Sequence, residues 1–144
     1  MTLRRSEILA NREKAISFLE GAGRRRVAGT LDKGDGRRCC LGHMSYALEI
    51  LRHRRYDGGW SYGEDNEVDV APQELIDLLG LWNEDGTGIR VISKDGDDYN
   101  RVINCLTELN DNAEWGANRI AKMLRPMING GEGTPFRPLS DYPE

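Results

Sequence analysis

The chain has 144 residues and a mass of 16.2 kDa, the size of one ordinary domain. Hydrophobic residues make up 38% of it, and no apolar run approaches the roughly 20 residues that a membrane helix requires, which argues against a membrane protein. The net charge of -4 argues against general coating of nucleic acid, because the field of the whole molecule repels phosphate.

The first part of the chain predicts a helix, a hairpin and a second helix. Apolar residues at helical spacing predict a helix from Ser6 to Glu20, and Gly21–Gly23 would end it. Two short extended runs flank a turn rich in Asp and Gly, which predicts a β-hairpin over residues 24–41. A stripe of apolar residues then predicts a helix over 43–54.

The second part of the chain alternates loops with short elements. The predicted elements are a loop over 56–69, a helix over 72–79, a strand over 89–92 with a turn over 94–98, a helix (or else a strand) over 99–109, and a last helix that Asn110–Asn112 would cap and Pro126 would end. The predicted fold class is α+β, mostly helical, with four to five helices and one small antiparallel sheet or hairpin. Residues 1–128 are predicted as a single globular domain and residues 129–144 as a flexible C-terminal tail.

Three cysteines could carry chemistry. Their odd number argues against a disulfide framework and for a reducing, cytoplasmic location. Cys39 and Cys40 precede a predicted helix next to arginines, a position that lowers the pKa of a thiol and favours a nucleophile. His43 is the only nearby base, so burial of the cysteines as small hydrophobic residues is the simpler interpretation. Zinc binding with Cys105 lacks the usual ligand spacing, and the sequence predicts no catalytic residue, metal or cofactor.

Charge is distributed unevenly along the chain. Residues 1–55 hold thirteen Lys and Arg against six Asp and Glu, whereas residues 56–144 hold seven against eighteen. Like charges on paired strands repel, so either acidic residues from the second part or a bound anion must neutralise the arginines of the predicted hairpin. Guanidinium groups suit phosphate and carboxylate ligands. The candidate ligand-binding residues are therefore Arg24, Arg25, Arg26, Arg37 and Arg38.

Three short islands of sequence form a pattern. They are Cys39–Gly42 before a helix, Gly80-Leu81 after a short helix, and Leu109–Asp111 before Ile120-Ala121. In this order the islands resemble a pattern in small bacteriophage-encoded proteins, a family to which no activity is assigned. The resemblance implies a viral accessory protein but no mechanism. Packing alone could also produce the pattern, with Gly42 allowing a close approach and Asn110 or Asp111 capping a helix.

These observations lead to one hypothesis with two alternatives. The hypothesis is a phage-type accessory protein that binds a small anionic, nucleotide-like ligand through the arginine-rich hairpin, in the cytoplasm of a host cell. The first alternative is a protein that binds and inhibits a host protein, or acts as an acidic decoy, without a small-molecule ligand. The second is a small Cys-dependent enzyme. Duplex nucleic acid is not an expected partner, because the acidic second part of the chain would repel it.

Overall fold

The computed structural model describes residues 2–23, 25–62 and 73–144. Within these ranges the chain forms five α-helices and two small antiparallel sheets, which confirms the mostly helical α+β class. The helices are α1 (Arg5–Ala22), α2 (Cys40–Ala47), α3 (Gln73–Leu79), α4 (Val102–Asp111) and α5 (Ala117–Leu124). The strands are β1 (His53–Arg54), β2 (Trp60–Ser61), β3 (Val91–Ile92) and β4 (Asp98–Tyr99), paired β1 with β2 and β3 with β4. In the described part of the chain, no helix combines the length and apolar character needed to cross a membrane.

Helix α1 lies at the centre of the fold and packs against α2, α3 and α5. Its buried face includes Ile8, Ile16 and Leu19 at the spacing that predicts an amphipathic helix. Helices α3, α4 and α5 correspond to the three helices predicted after residue 72, and a 3₁₀ turn containing Pro126 follows α5. Residues 63–72, which include half of the loop predicted over 56–69, lie outside the described residues.

The predicted strand over 89–92 and the turn that follows it form the β3–β4 hairpin. Val91 lies opposite Tyr99, and Ile92 lies opposite Asp98. Gly96 occupies the turn with φ +86°, a conformation that costs glycine little because it has no Cβ. Local sequence is therefore sufficient to build this element.

The buried face of α1 also contains a charged residue, Arg12, whose side chain is fully inaccessible to solvent. Its guanidinium group donates four hydrogen bonds to backbone carbonyl oxygens: to Leu79 (2.7 Å), Gly80 (3.3 Å), Ile128 (2.9 Å) and Arg137 (2.8 Å). The first two carbonyls end helix α3, where the helix dipole favours a cation. Arg12 thus joins α1 to the end of α3 and to the C-terminal segment.

The C-terminal segment, where the sequence predicts a flexible tail over 129–144, packs onto the helices. Phe136 is fully buried in the same core as α1 and forms an isolated bridge with Leu81. The N–H of Arg137 donates to the carbonyl of Gly80 (2.8 Å), and the N–H of Arg5 donates to that of Pro143 (2.7 Å). The apolar area of Phe136 and these hydrogen bonds attach the segment to the helices.

Over residues 25–41, the part of this segment that the structure describes, the predicted hairpin does not form. Arg26 and Arg38 pair as an isolated parallel bridge, which two antiparallel arms of a hairpin would not make. Asp32 is fully buried and accepts hydrogen bonds from the side chain of Arg38 (2.5 Å) and from the N–H of Gly34 (2.6 Å). These bonds draw the middle of the segment into a compact loop, so no ladder of paired strands can develop.

Helix α2 is shorter than predicted. It ends at Ala47, and Glu49 adopts a positive φ of 61° just beyond it. The chain then turns, and His53 lies in strand β1 instead of on the predicted helix over 43–54. Beyond Ala47, Ile50 is buried and Leu48 and Leu51 are half-buried, so their apolar spacing imitates a longer helix.

Asn110 caps a different helix from the one predicted. Its side-chain oxygen accepts the N–H of Cys40 (3.0 Å), the first residue of α2, and its amide nitrogen donates to the carbonyl of Val27 (2.9 Å). Asn110 itself belongs to α4, while α5 begins after Gly116. The cap therefore connects α4 to α2 across the core.

Candidate functional site

The arginines of the predicted hairpin do not form one free basic surface. Arg24 lies outside the described residues. Arg37 is exposed and pairs with Asp35, with 2.7 Å between Nη2 and the carboxylate. Arg26 donates to the carbonyl of Asn110 at 2.8 Å. Two of the five predicted residues, Arg25 and Arg38, line one cavity together.

Arg38 is held in place by a buried ion pair and an aromatic ring. Its Nε lies 2.5 Å from the carboxylate of Asp32, and its guanidinium carbon lies 3.7 Å from the centre of the Tyr46 ring. Removing one member of a buried ion pair costs about 3–5 kcal/mol, since the other charge stays buried and unpaired. Arg38 therefore shapes this part of the protein, and its charge is balanced by Asp32.

Two cavities lie on this side of the molecule and share the ring of Phe18. The larger, of about 550 Å³, we call the ring groove; its lining includes Lys14, Phe18, Tyr46, Glu49 and Trp60. The smaller, of about 200 Å³, we call the arginine cavity; its lining includes Ser17, Phe18, Arg25, Arg38 and His43. Helices α1 and α2 supply most of both linings, and β2 supplies Trp60.

Aromatic side chains dominate the ring groove. The ring centres of Phe18 and Tyr46 are 5.4 Å apart at an angle of 39°, and Tyr46 is 46% exposed. Trp60 is half-buried, and the guanidinium carbon of Arg54 lies 5.7 Å from its ring. Partly exposed rings of this kind offer a planar ligand a surface for stacking.

The imidazole of His43 forms the buried wall of the arginine cavity. Its Nε2 lies 3.0 Å from the backbone carbonyl oxygen of Arg25, which can only accept a hydrogen bond, so Nε2 carries the hydrogen. Nδ1 is buried and has no hydrogen-bond partner among the described residues. Burial lowers the pKa of His43, and the nearby cations of Arg38 and Arg25 lower it further, against the opposing effects of the carbonyl contact and Asp32.

The cysteines lie close to this cavity but are not activated. Burial raises the pKa of Cys39 to about 11 and raises that of Cys40 as well, so the predicted lowering by the helix and the arginines is wrong. The Sγ of Cys39 accepts a hydrogen bond from the N–H of Gly42 and acts as the N-cap of α2. Both thiols stay protonated at neutral pH. Across the described ranges, no group of three or more His, Cys, Asp or Glu is arranged to hold a metal ion.

Sequence reasoning missed the aromatic part of the site. Lys14 and Phe18 lie one turn apart on α1, outside its buried stripe, and a large aromatic residue on the polar face of a helix is the signal that could have revealed them. Trp60 lies in a region predicted as a loop. No local pattern places it beside α1.

Comparisons with protein-family models, with curated proteins and with solved structures find no match to this chain. The geometry of the site alone therefore supports a functional proposal. Two positions of the sequence pattern have a packing role: a Cβ atom at Gly42 would overlap the carbonyl oxygen of Leu31, and one at Gly80 would overlap the hydroxyl of Tyr142.

Proposed function

We propose that this protein binds a small anionic ligand with a planar ring, of the nucleotide class. One observation supports the proposal most: the ring groove and the arginine cavity share Phe18, so stacking surfaces adjoin guanidinium groups. The combined volume of the two cavities lies within the 300–1,000 Å³ that is typical of small-molecule sites. The binding surface we propose is this pair of cavities, in place of a free arginine-rich hairpin.

The charges favour one orientation of the ligand. Arg25 is exposed and makes no ion pair with a described residue, so its guanidinium group is available to an anion. The ring groove contains Glu49 as well as Lys14, and their opposite charges offset each other there. We therefore place the anionic group of the ligand at Arg25 and its ring against Phe18, Tyr46 and Trp60.

The resemblance to bacteriophage-encoded proteins extends the proposal. A viral accessory protein of this kind would act in the cytoplasm of a host cell, where nucleotides and signals derived from them are abundant. We propose a nucleotide-derived host metabolite or signal as the ligand. The raised thiol pKa values give no support to the Cys-dependent enzyme.

Calorimetry against mono-, di- and cyclic nucleotides, beside a random DNA duplex, tests the proposal at about 150 mM salt, where long-range attraction is screened. We expect Arg25→Gln to weaken binding at least about tenfold, since a charged hydrogen bond is worth about 1.5–3 kcal/mol. Phe18→Ala should weaken it through lost stacking.

Arg37→Gln is the matched control, because Arg37 pairs with Asp35 and lines neither cavity. It should bind like the wild type. No binding across the whole panel would overturn the proposal in favour of the host-protein alternative, and tight duplex binding would overturn the electrostatic argument.

A further inference from the structure

We propose that an oxyanion bound in the arginine cavity is taken up together with one proton, which His43 holds on Nδ1. This inference rests on the proposed function and describes the regulation of the same site. The proton comes from solvent, and the lone pair of Nδ1 forms the new N–H bond. The ligand head group would be a tetrahedral oxyanion, of which phosphate and sulfate are examples.

The geometry of His43 leaves only one nitrogen for this proton. Nε2 already carries a hydrogen, which it donates to the carbonyl of Arg25. Nδ1 of the neutral ring presents a lone pair, and it is buried without a partner among the described residues. Protonation of Nδ1 would place a positive charge on a ring that lines the arginine cavity, and a bound oxyanion would attract that charge.

The charged groups around His43 make this protonation unfavourable until an anion arrives. Arg25 and Arg38 line the same cavity and repel an imidazolium ion. Asp32 attracts it, but the carboxylate of Asp32 is already paired with Arg38. Phe18 of α1 contributes a neutral ring at 5.9 Å from the imidazole. Two cations and one carboxylate therefore act on His43, and a bound anion would offset the excess of positive charge.

The strength of the effect follows from linkage. An opposite charge within about 4–6 Å raises the pKa of a histidine by about one to three pH units. Between the pKa of the free and of the bound protein, each fall of one pH unit should strengthen oxyanion binding by up to about tenfold. Binding should therefore be tighter at pH 5.5 than at pH 7.5.

Sulfate is a suitable probe because it stays fully ionised across this range, so any proton taken up belongs to the protein. Calorimetry at constant ionic strength gives its affinity from pH 5.0 to 8.0. Repeating the titration in two buffers with different heats of ionisation counts the protons. We expect the wild type to take up part of a proton at any pH between the pKa of His43 in the free protein and its pKa in the bound protein.

Two variants assign the proton. His43→Gln keeps a side-chain amide for the carbonyl of Arg25 but cannot titrate, so it should bind sulfate with little dependence on pH. Arg25→Gln should weaken sulfate binding at every pH. NMR titration of the wild type supplies an independent measurement should His43→Gln fold poorly, and His53, the only other histidine, is the internal control. Sulfate should raise the pKa of His43, and the NMR signals of His53 should not respond to sulfate.

The outcomes separate the two proposals. Sulfate binding without proton uptake, or without a change in the pKa of His43, would overturn the proton linkage while the nucleotide results stand on their own. Failure of sulfate to bind at any pH would also overturn the linkage. Failure of both sulfate and the nucleotide panel would overturn the ligand-binding function itself.

Discussion

Replacing Arg12 with methionine should destabilise the protein more than any exposed arginine substitution. The Arg12 guanidinium is fully buried and donates to four backbone carbonyls, which belong to the end of α3 and to two positions after α5. Methionine fills much of the same space but donates nothing. Arg12→Met would therefore leave those carbonyls without their partner in a region that excludes water.

The expected loss follows from two opposing effects. Hydrogen bonds to a charged group contribute about 1.5–3 kcal/mol each, so four give roughly 6–12 kcal/mol. Methionine removes the cost of burying a cation, which amounts to several kcal/mol. Carbonyls that reach water after a small shift recover part of the remainder. We expect a net loss of about 3–5 kcal/mol, a large part of the 5–15 kcal/mol that stabilises a typical domain.

Urea unfolding of the purified variants measures this loss. Arg90→Met is the matched control, because Arg90 is exposed and pairs with Asp98 on the surface, so the urea midpoint of this variant should hardly move. Arg12→Lys should fall between the wild type and Arg12→Met, since an ammonium group keeps the charge but cannot span four acceptors. A loss of stability in Arg12→Met no larger than that in Arg90→Met would show that the four carbonyls do not depend on Arg12.

Three further predictions concern packing and pH. Gly42→Ala should lower the free energy of unfolding by about 1–3 kcal/mol or more, because its Cβ would overlap the carbonyl oxygen of Leu31. Gly21→Ala, in open space on α1, should raise the free energy of unfolding by about 0.5–1 kcal/mol. Urea unfolding compares the two variants, and equal effects would contradict the packing argument. Cys40→Ala should lower the free energy of unfolding by about 1 kcal/mol in the same assay. The native thiol should resist labelling at neutral pH, because Cys40 is buried and its pKa is raised. Rapid labelling would contradict this by showing an accessible thiolate. His43 has a lowered pKa in the folded state, so the unfolded chain binds more protons than the folded one. The free energy of unfolding should therefore fall as pH drops below about 6.5. The part of this fall that comes from His43 should be absent in His43→Gln.

The candidate site was only partly predictable from the sequence. Clustering of arginine in the sequence drew attention to Arg25 and Arg38, which the structure places on one cavity. The inferred hairpin was wrong, because a pattern of short extended runs does not reveal that Asp32 will turn inward and bind Arg38. The aromatic half of the site was missed for a related reason. Phe18 and Trp60 are far apart in sequence, and only the tertiary fold places them on the same groove.

Local interactions were enough to specify most of the secondary structure. The apolar spacing along α1, α4 and α5 and the turn at Gly96 depend on residues within a few positions of one another, so the sequence by itself determined these elements and the α+β class. The sequence also showed that the three cysteines lack the spacing of a structural zinc site.

Tertiary structure decided everything that depends on contacts between distant residues. Arg12 interrupts an apolar stripe in the sequence, and it is buried only because carbonyls from two other parts of the chain arrive to accept its hydrogen bonds. Asn110 has the sequence signature of a cap for the helix that follows it, yet it caps α2, seventy positions earlier. A buried polar group is stable wherever its hydrogen bonds are satisfied, and the partners that satisfy it are chosen by the packing of the whole chain.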